Sequence, residues 1–411
     1  MSVQTKIKDG ITAGNTKTGE IGRRPKLPVV VYVLALGTFL MLTSEFVVAG
    51  ILPMIAGDLK VSVAQAGSLI TVFAIGMVIG APLMAMLTMR MSRQLTLVLA
   101  LIVFVIGHIV VALGPDFTLL LVARFVSALA TGAFWAVSAV VATRAAGPSS
   151  GARAVGVVGA GGALATVLGV PLGAFVAQLV GWRGTFWALA AAAAVATVLV
   201  ARLVPHGAPA AQTTSIRAEL AGLRSGRLWL ALAACAATCG GVLAAYSYIA
   251  PILTDQAGVN AAQVPLVLTG FGMGSVIGTL LAGRFGDAHP GPITIITPAV
   301  TTILLLGISL LPGSPWLTSA LVVLLGLFGL SANSVLIHLA VRFAGKAATL
   351  GSALSVSAFN AGTAVGTAIA GAALLSPLGT TGPGLVGTII AALTLIPAIP
   401  LAIATRRRAA R

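Results

Sequence analysis

Residues 29–56 read VVVYVLALGTFLMLTSEFVVAGILPMIA, an apolar run in which Glu45 is the only charged residue. A transmembrane helix needs about 20 apolar residues to cross a hydrocarbon layer roughly 30 Å thick, and this run is longer. Comparable runs recur along the whole chain, and polar segments separate them. A transmembrane β-barrel would show short alternating segments instead. The sequence therefore predicts an all-α integral membrane protein.

The apolar runs divide into two sets of six predicted helices. The first set lies at about 29–56, 66–88, 95–114, 117–143, 154–179 and 184–204. The second set lies at about 228–253, 263–285, 291–311, 316–341, 349–375 and 385–404. Two equivalent halves are typical of transporters built from parallel internal repeats. We expect a disordered cytoplasmic tail (1–27), an N-terminal six-helix bundle (28–204), a cytoplasmic linker (205–227), a C-terminal six-helix bundle (228–404) and a basic cytoplasmic tail (405–411).

The charged residues are few and unevenly placed. They make up 8% of the chain, whereas soluble domains carry about 25%. Of the 24 Lys and Arg residues, all except Lys60, Arg183 and Arg124 fall in the N-terminal segment, the C-terminal tail, or near the loops that follow even-numbered helices. This positive-inside pattern predicts that both termini are cytoplasmic. The net charge of +16 thus reflects membrane topology, and a nucleic-acid partner is not expected.

Glu45 is the only acidic residue deep inside a predicted helix. A charged side chain at the centre of a membrane helix costs about 3 kcal/mol on insertion scales, and such residues face a cavity or a partner. Desolvation there favours the protonated form of a carboxyl group. Glu45 is therefore a candidate proton-coupling residue. The alternative is a structural contact, such as an ion pair with Arg124.

Arg124, in predicted helix 4, is the only strong cation placed within the membrane. Because a guanidinium group stays charged, it needs a partner or water. Arg124 is a candidate for influencing the protonation of Glu45 or for binding a polar substrate group. A purely structural link between helices 1 and 4 is the alternative.

Several aromatic and polar residues are candidates for the wall of a central cavity, although each also suits helix packing. His338 in helix 10 and His108 in helix 3 are in addition candidate proton relays, and a structural histidine is the commoner case. The cavity candidates are Phe134, Trp135, Tyr246, Tyr248, Asn333, His338 and Asn360.

No sequence motif indicates catalysis or ATP binding. The stretch Gly159-Ala-Gly161-Gly162 lies within a predicted helix and no strand precedes it, which argues against a dinucleotide-binding loop. The sequence contains no Walker phosphate loop, HExxH zinc motif or Ser-His-Asp set. We therefore expect no enzymatic activity, no bound metal and no cofactor.

Four segments together resemble the major facilitator superfamily, and specifically its twelve-helix drug:proton antiporter family. In helix 1 they are Ser44-Glu45-Phe46, Gly50, Leu52-Pro53 and Asp58-Leu59, and in helix 4 Arg124-Phe-Val-Ser-Ala-Leu-Ala-Thr-Gly132. In helix 5 they are Gly162, Gly169, Pro171 and Gly173, and before helix 6 Gly181-Trp182-Arg183-x-x-Phe186. The resemblance covers residues 28–404. It implies two bundles around an alternating-access cavity, a role for Arg124 in proton coupling, and a bent helix 5 that limits leak.

Two loops depart from the family pattern. Between helices 2 and 3, Arg90 and Arg93 remain, but Met89 replaces the aspartate that latches the two halves in the family. Between helices 8 and 9, Arg284 and Asp287 remain without the basic residues that should follow. The resemblance assigns these four charged residues to gating. We group with them Asp58, at the outer end of helix 1, where a solvated helix-terminal role is favoured over proton coupling.

Within that family, the chain resembles actinobacterial chloramphenicol exporters through Thr43-Ser-Glu-Phe46, Gly80-Ala-Pro82 and Gly169-Val-Pro-Leu-Gly173. The resemblance implies a monomer in the bacterial cytoplasmic membrane. It would export a small hydrophobic drug, such as chloramphenicol, in exchange for protons. An exporter of sugars or nucleosides is the alternative, and an intramembrane enzyme or a receptor is the least favoured interpretation.

Overall fold

The computed structural model describes residues 27–87, 91–147, 150–205, 225–311, 313–345 and 348–409. These ranges contain twelve helices that are long and apolar enough to span a membrane. The first bundle contains α1 (Val29–Leu59), α2 (Val63–Leu87), α3 (Arg93–Leu113), α4 (Phe117–Ala146), α5 (Gly151–Leu164, Ala165–Gly169 and Val170–Val180) and α6 (Trp182–Leu203). The second contains α7 (Gly226–Tyr246), α8 (Val264–Ala288), α9 (Pro290–Leu310), α10 (Pro315–Gly329 and Ala332–Ala344), α11 (Ala348–Leu374) and α12 (Gly382–Leu393 and Leu395–Ala409). The predicted all-α membrane fold is confirmed.

The helix ends differ from the prediction in a few places. α1 continues to Leu59, and the next residue, Lys60, adopts the left-handed conformation with φ of 53°. α12 continues to Ala409, so the predicted tail 405–411 begins inside a helix. Most of the predicted linker 205–227 and of the predicted tail 1–27 lies outside the described residues.

α5 packs closely on the middle of α1. Its π-helical segment, Ala165–Gly169, ends two residues before Pro171. Because proline has no backbone N–H, it cannot form the helical bond to the residue four positions earlier, and the wider π-turn accommodates this loss. A side chain at Gly169 would collide with the Thr43 side chain of α1. The missing Cβ therefore lets α5 support the segment of α1 that carries Glu45.

The outer surface of the protein carries apolar side chains at helical spacing. On α3, Leu95, Leu99, Ile102 and Ile106 are exposed, while Phe104 on the opposite face is fully buried. In water, a large exposed apolar patch normally marks an interaction surface. On a helix of membrane-spanning length it is the surface expected to contact lipid.

The two bundles contact each other near the end opposite to the chain termini, which we call the distal end. Thr71 of α2 is hydrogen-bonded to Thr367 of α11 at 2.8 Å between the hydroxyl oxygens. The Tyr248 hydroxyl of the second bundle lies against Gly67 of α2, where an added side chain would collide with it. The Gln178 amide of α5 donates to the Ala261 carbonyl at 2.8 Å. In this conformation the distal end is closed.

Candidate functional site

A small cavity lies between the two bundles beside Glu45. Residues of α1, α2, α7 and α11, together with Ser247 just after α7, form its wall: Glu45, Phe46, Ala49, Ile70, Phe73, Ala74, Leu243, Tyr246, Ser247 and Thr363. The volume is about 10 Å³, which is close to the space needed by one water molecule. Pockets for drug-sized ligands measure roughly 300–1,000 Å³. The bundles must therefore separate before such a ligand can reach Glu45.

Glu45 is placed on this wall by its position in the middle of α1. Its side chain is only 8% exposed. The carboxylate makes no ion pair with any described residue, since the one ion pair found in the described parts of the chain joins Asp58 and Arg183. The carboxyl group of Glu45 is therefore buried at the cavity without a direct ion-pair partner among the described residues.

Arg124 projects from α4 towards α1 and is 1% exposed. Its Nη1 donates to the carbonyl oxygen and to the hydroxyl oxygen of Ser44, each at 3.0 Å. Its guanidinium carbon lies 4.2 Å from the centre of the Phe73 ring, which adds a cation–π contact. The Nε and Nη2 atoms of Arg124 have no hydrogen-bond partner. Part of the hydrogen-bonding capacity of this cation is therefore unused.

His108 completes a buried chain of hydrogen bonds that starts at Arg124. Its Nδ1 lies 2.7 Å from the Phe104 carbonyl oxygen, and its Nε2 lies 2.7 Å from the Ser44 hydroxyl. A carbonyl oxygen only accepts, so Nδ1 carries a proton, and Nε2 is the acceptor in the neutral ring. The Ser44 hydroxyl then donates to His108 while accepting from Arg124. These hydrogen bonds hold Arg124 in position without a contact to Glu45.

The predicted alternative of a direct Glu45–Arg124 ion pair is not found. The two groups still interact electrostatically, although Arg124 is bound to the residue that precedes Glu45. Because the carboxyl and guanidinium groups are close but not paired, binding of a proton or of a polar group of a ligand can change the local charge balance. The proton-coupling roles of Glu45 and Arg124 stay predictions.

The aromatic cavity candidates occupy three different environments. Tyr246 lines the cavity, and its ring is stacked on Phe271 at 4.4 Å between centroids. Tyr248 lies in the distal contact between the bundles, where its hydroxyl is against Gly67 of α2. Phe134 is fully buried within the first bundle, where its ring occupies the space left by Gly37. Trp135 is half-buried and is not part of the cavity wall.

The polar candidates of the second bundle lie outside the cavity wall. The Asn333 amide nitrogen donates to the sulfur of Cys239 at 2.8 Å, and that of Asn360 donates to the Val356 carbonyl at 3.0 Å. The amide oxygens of both residues are buried without a partner. His338 is exposed on the face of α10 away from its buried residues. Their roles in substrate binding stay predictions.

The three glycine gating candidates of α5 face α1. Added side chains at Gly162, Gly169 and Gly173 would meet Leu42, Thr43 and Val47, respectively. These glycines are the reason for the close packing of the two helices. Pro171 lies two residues after the π-helical segment, so helix 5 is irregular at this point.

The charged gating candidates are less fully described. Asp58 accepts hydrogen bonds from Arg183 and, at 3.1 Å, from Trp182 Nε1. Arg93 is half-buried, and Arg284 is exposed. Two further candidates, Arg90 and the side chain of Asp287, lie outside the described residues.

Several site residues were not identified from the sequence. Ser44 holds Arg124, Phe73 lies beneath its guanidinium group, and Thr363 and Ser247 line the cavity. Ser44 could have been identified from its position beside Glu45, because a hydroxyl group next to a buried acid indicates a polar cluster. Phe73 and Thr363 offered no such signal among many apolar and small residues.

Twelve helices of membrane-spanning length in the described ranges, arranged in two bundles, define the class of multi-pass membrane proteins. Residues 34–252 match the model of the Major Facilitator Superfamily. The chain is 33% identical over 377 residues to a chloramphenicol resistance protein of Streptomyces lividans, covering 91% of this chain and 96% of that protein. We conclude that the chain belongs to the Major Facilitator Superfamily and is a transporter, not an enzyme.

Further relatives agree with this assignment. The inner membrane transport protein YdhP of Escherichia coli (strain K12) is 30% identical over 363 residues, which cover 88% of this chain and 93% of that protein. A solved bacterial homologue of the human lysosomal transporter Spinster, in an inward-facing and unoccupied conformation, superposes with a TM-score of 0.71 at 17% identity. It covers 92% of this chain and 96% of its own, and the similarity confirms the fold.

Proposed function

We propose that the protein is a proton-coupled antiporter that exports a small hydrophobic drug by alternating access. The observation that carries this proposal is the carboxyl group of Glu45, which is buried without an ion-pair partner on the wall of the cavity between the bundles. A residue of this kind within the membrane is by default a candidate for function, since its insertion is costly.

The proposed cycle uses Glu45 as the proton site. From the distal side, which the positive-inside pattern makes external, protonation of Glu45 would favour one access state. Substrate binding from the cytoplasm would favour loss of the proton and the other state. Such linkage requires only that proton and substrate bind the two states with different affinity. The proton gradient supplies the energy, so the proposal needs no cofactor, and one monomer suffices.

Two observations support a hydrophobic substrate. The cavity wall is mostly apolar, with Phe46, Ile70, Phe73 and Leu243 contributing large side chains beside the few polar groups. In addition, the relative from Streptomyces lividans is named a chloramphenicol resistance protein. We therefore propose an amphenicol-type drug as the substrate and the bacterial cytoplasmic membrane as the location, with both termini on the cytoplasmic side.

The test is chloramphenicol accumulation in cells that produce the wild type, Glu45→Gln or Asp255→Asn. The last variant is a matched control, because Asp255 is an exposed acid in the second bundle that bonds only to the neighbouring Thr254 among the described residues. We expect the wild type and the control to lower accumulation until a protonophore is added, and Glu45→Gln to have no such effect. The variants must be present in the membrane in equal amounts.

Each outcome has a defined meaning. Unchanged export by Glu45→Gln would refute the assignment of the proton site. Export that survives the protonophore would refute coupling to protons. If the purified wild type in liposomes moves a sugar or a nucleoside but not chloramphenicol, the substrate class is wrong and the metabolite exporter is favoured.

A further inference from the structure

A second cavity lies at the end of the first bundle that carries the chain termini, far from Glu45. Its volume is about 260 Å³. It is formed where α3 begins and where α4 and α6 end, and it is lined by Arg93, Val141, Arg144, Ala145, Val204 and Pro205. The proton site proposed above uses none of these residues, and Arg93 alone among them is a gating candidate.

Two arginines face this cavity without an acidic partner. Arg93 is the first residue of α3, and its Nη2 atom is buried without a hydrogen-bond partner. Arg144, in the last turn of α4, interacts electrostatically with Arg93 as a like charge. Neither arginine forms an ion pair with an acidic group of the described residues. Two neighbouring cations that share a cavity, one with a buried unused donor, are stabilised by an anion.

The chemistry of the cavity narrows the kind of anion. Arginine binds phosphate and carboxylate oxygens through several N–H groups in a fixed plane. The remaining wall, which includes Val141, Ala145 and Val204, is apolar and offers no acceptor side chain that competes for the arginines. The cavity lies at the helix ends, which is the depth of phospholipid headgroups. The positive-inside pattern assigns this end to the cytoplasmic leaflet, where anionic lipids are enriched.

We infer that this cavity between α3, α4 and α6, with Arg93 and Arg144 at its rim, is a binding site for a phosphate group. The phosphate belongs either to the headgroup of an anionic phospholipid or to a free phosphate ion. Binding there ties together the ends of three helices of the first bundle. The site is independent of the substrate and of the proton site.

The experiment uses the purified full-length protein in a neutral detergent. Native mass spectrometry counts bound phosphatidylglycerol, with phosphatidylcholine as the zwitterionic comparison, and thermal unfolding is recorded with each lipid and with inorganic phosphate. The test variant is Arg93→Gln with Arg144→Gln. The control variant is Arg227→Gln with Arg342→Gln, which removes the same charge from exposed arginines in the second bundle. Arg144→Gln alone is the fallback if the double variant does not fold.

We expect the wild type and the control to bind one phosphate-bearing ligand, and the test variant to bind it about tenfold more weakly or worse, since charge-assisted hydrogen bonds are lost. Stabilisation by phosphatidylglycerol alone identifies the lipid as the source. Stabilisation by inorganic phosphate identifies a free anion, and either result supports the site. Equal binding in the test variant, an equal loss in the control, or no stabilisation by either ligand would overturn the inference.

Discussion

Replacing Ser44 with alanine tests whether the buried chain of hydrogen bonds holds α1, α3 and α4 together. The change removes the bond from Arg124 Nη1 to the Ser44 hydroxyl at 3.0 Å and the bond from that hydroxyl to His108 at 2.7 Å. Arg124 keeps the Ser44 carbonyl and the Phe73 ring. The variant therefore isolates the contribution of the hydroxyl group without removing the cation.

The expected loss of stability follows from these two bonds. A hydrogen bond to a charged group contributes about 1.5–3 kcal/mol in soluble proteins, whereas bonds between membrane helices average about 0.6 kcal/mol. The acceptor nitrogen of His108 would also remain buried without a donor, which adds to the cost. We expect Ser44→Ala to lower the free energy of unfolding by about 1–3 kcal/mol.

The assay is thermal unfolding of the purified protein, in which 1 kcal/mol shifts the midpoint of a unit of bundle size by about 2–4 °C. Ser127→Ala is the control, since Ser127 is also buried, in α4, but its hydroxyl has no hydrogen-bond partner. We expect this control to stay within about 0.5 kcal/mol of the wild type. Equal midpoints for the Ser44 and Ser127 variants would show that the chain of bonds does not stabilise the bundle.

Two further substitutions test the packing and the surface charges. Gly362→Ala should destabilise the second bundle by about 1–3 kcal/mol, because the new methyl group would collide with the Ala236 carbonyl of α7. Gly159→Ala is the control, since its methyl group would meet no atom within 4 Å. We expect the control to be neutral in the same unfolding assay. Asp58→Asn removes the ion-pair partner of Arg183. Because the pair is partly exposed, we expect the free energy of unfolding to fall by less than about 1 kcal/mol, and by less still in high salt. A larger fall that does not depend on salt would contradict this view.

The helices could be predicted from the sequence because the membrane imposes a simple rule. Every backbone group in lipid must be bonded within its own segment, so an apolar run of sufficient length becomes a helix whatever its neighbours are. The run around Glu45 shows this directly, since the predicted helix 29–56 became Val29–Leu59. The interruption of α10 between Gly329 and Ala332 was missed, because no proline marks it.

The side-chain contacts of the site could not be predicted in the same way. They depend on how each helix is rotated about its axis, and helices that are apolar on all sides carry little information on rotation. Phe134 and Tyr246 both appeared suited to a cavity wall, yet one fills the space left by Gly37 and the other lines the cavity. Asp58 and Arg183 were each noted separately, and only the fold brings them together.

The contacts that close the distal end are weak enough for a single proton to influence them. The described contacts Thr71–Thr367 and Gln178–Ala261 are hydrogen bonds between uncharged groups of the two bundles. At about 0.6 kcal/mol each they contribute about 1.2 kcal/mol in total. If Glu45 binds its proton ten times more tightly in one access state than in the other, one proton shifts the balance by about 1.4 kcal/mol. The two quantities are comparable, so the proposed coupling does not require the strong charged latch that Met89 removes from the loop between helices 2 and 3. The bonds of Arg124 lie within the first bundle, and they therefore move with it as the two bundles separate.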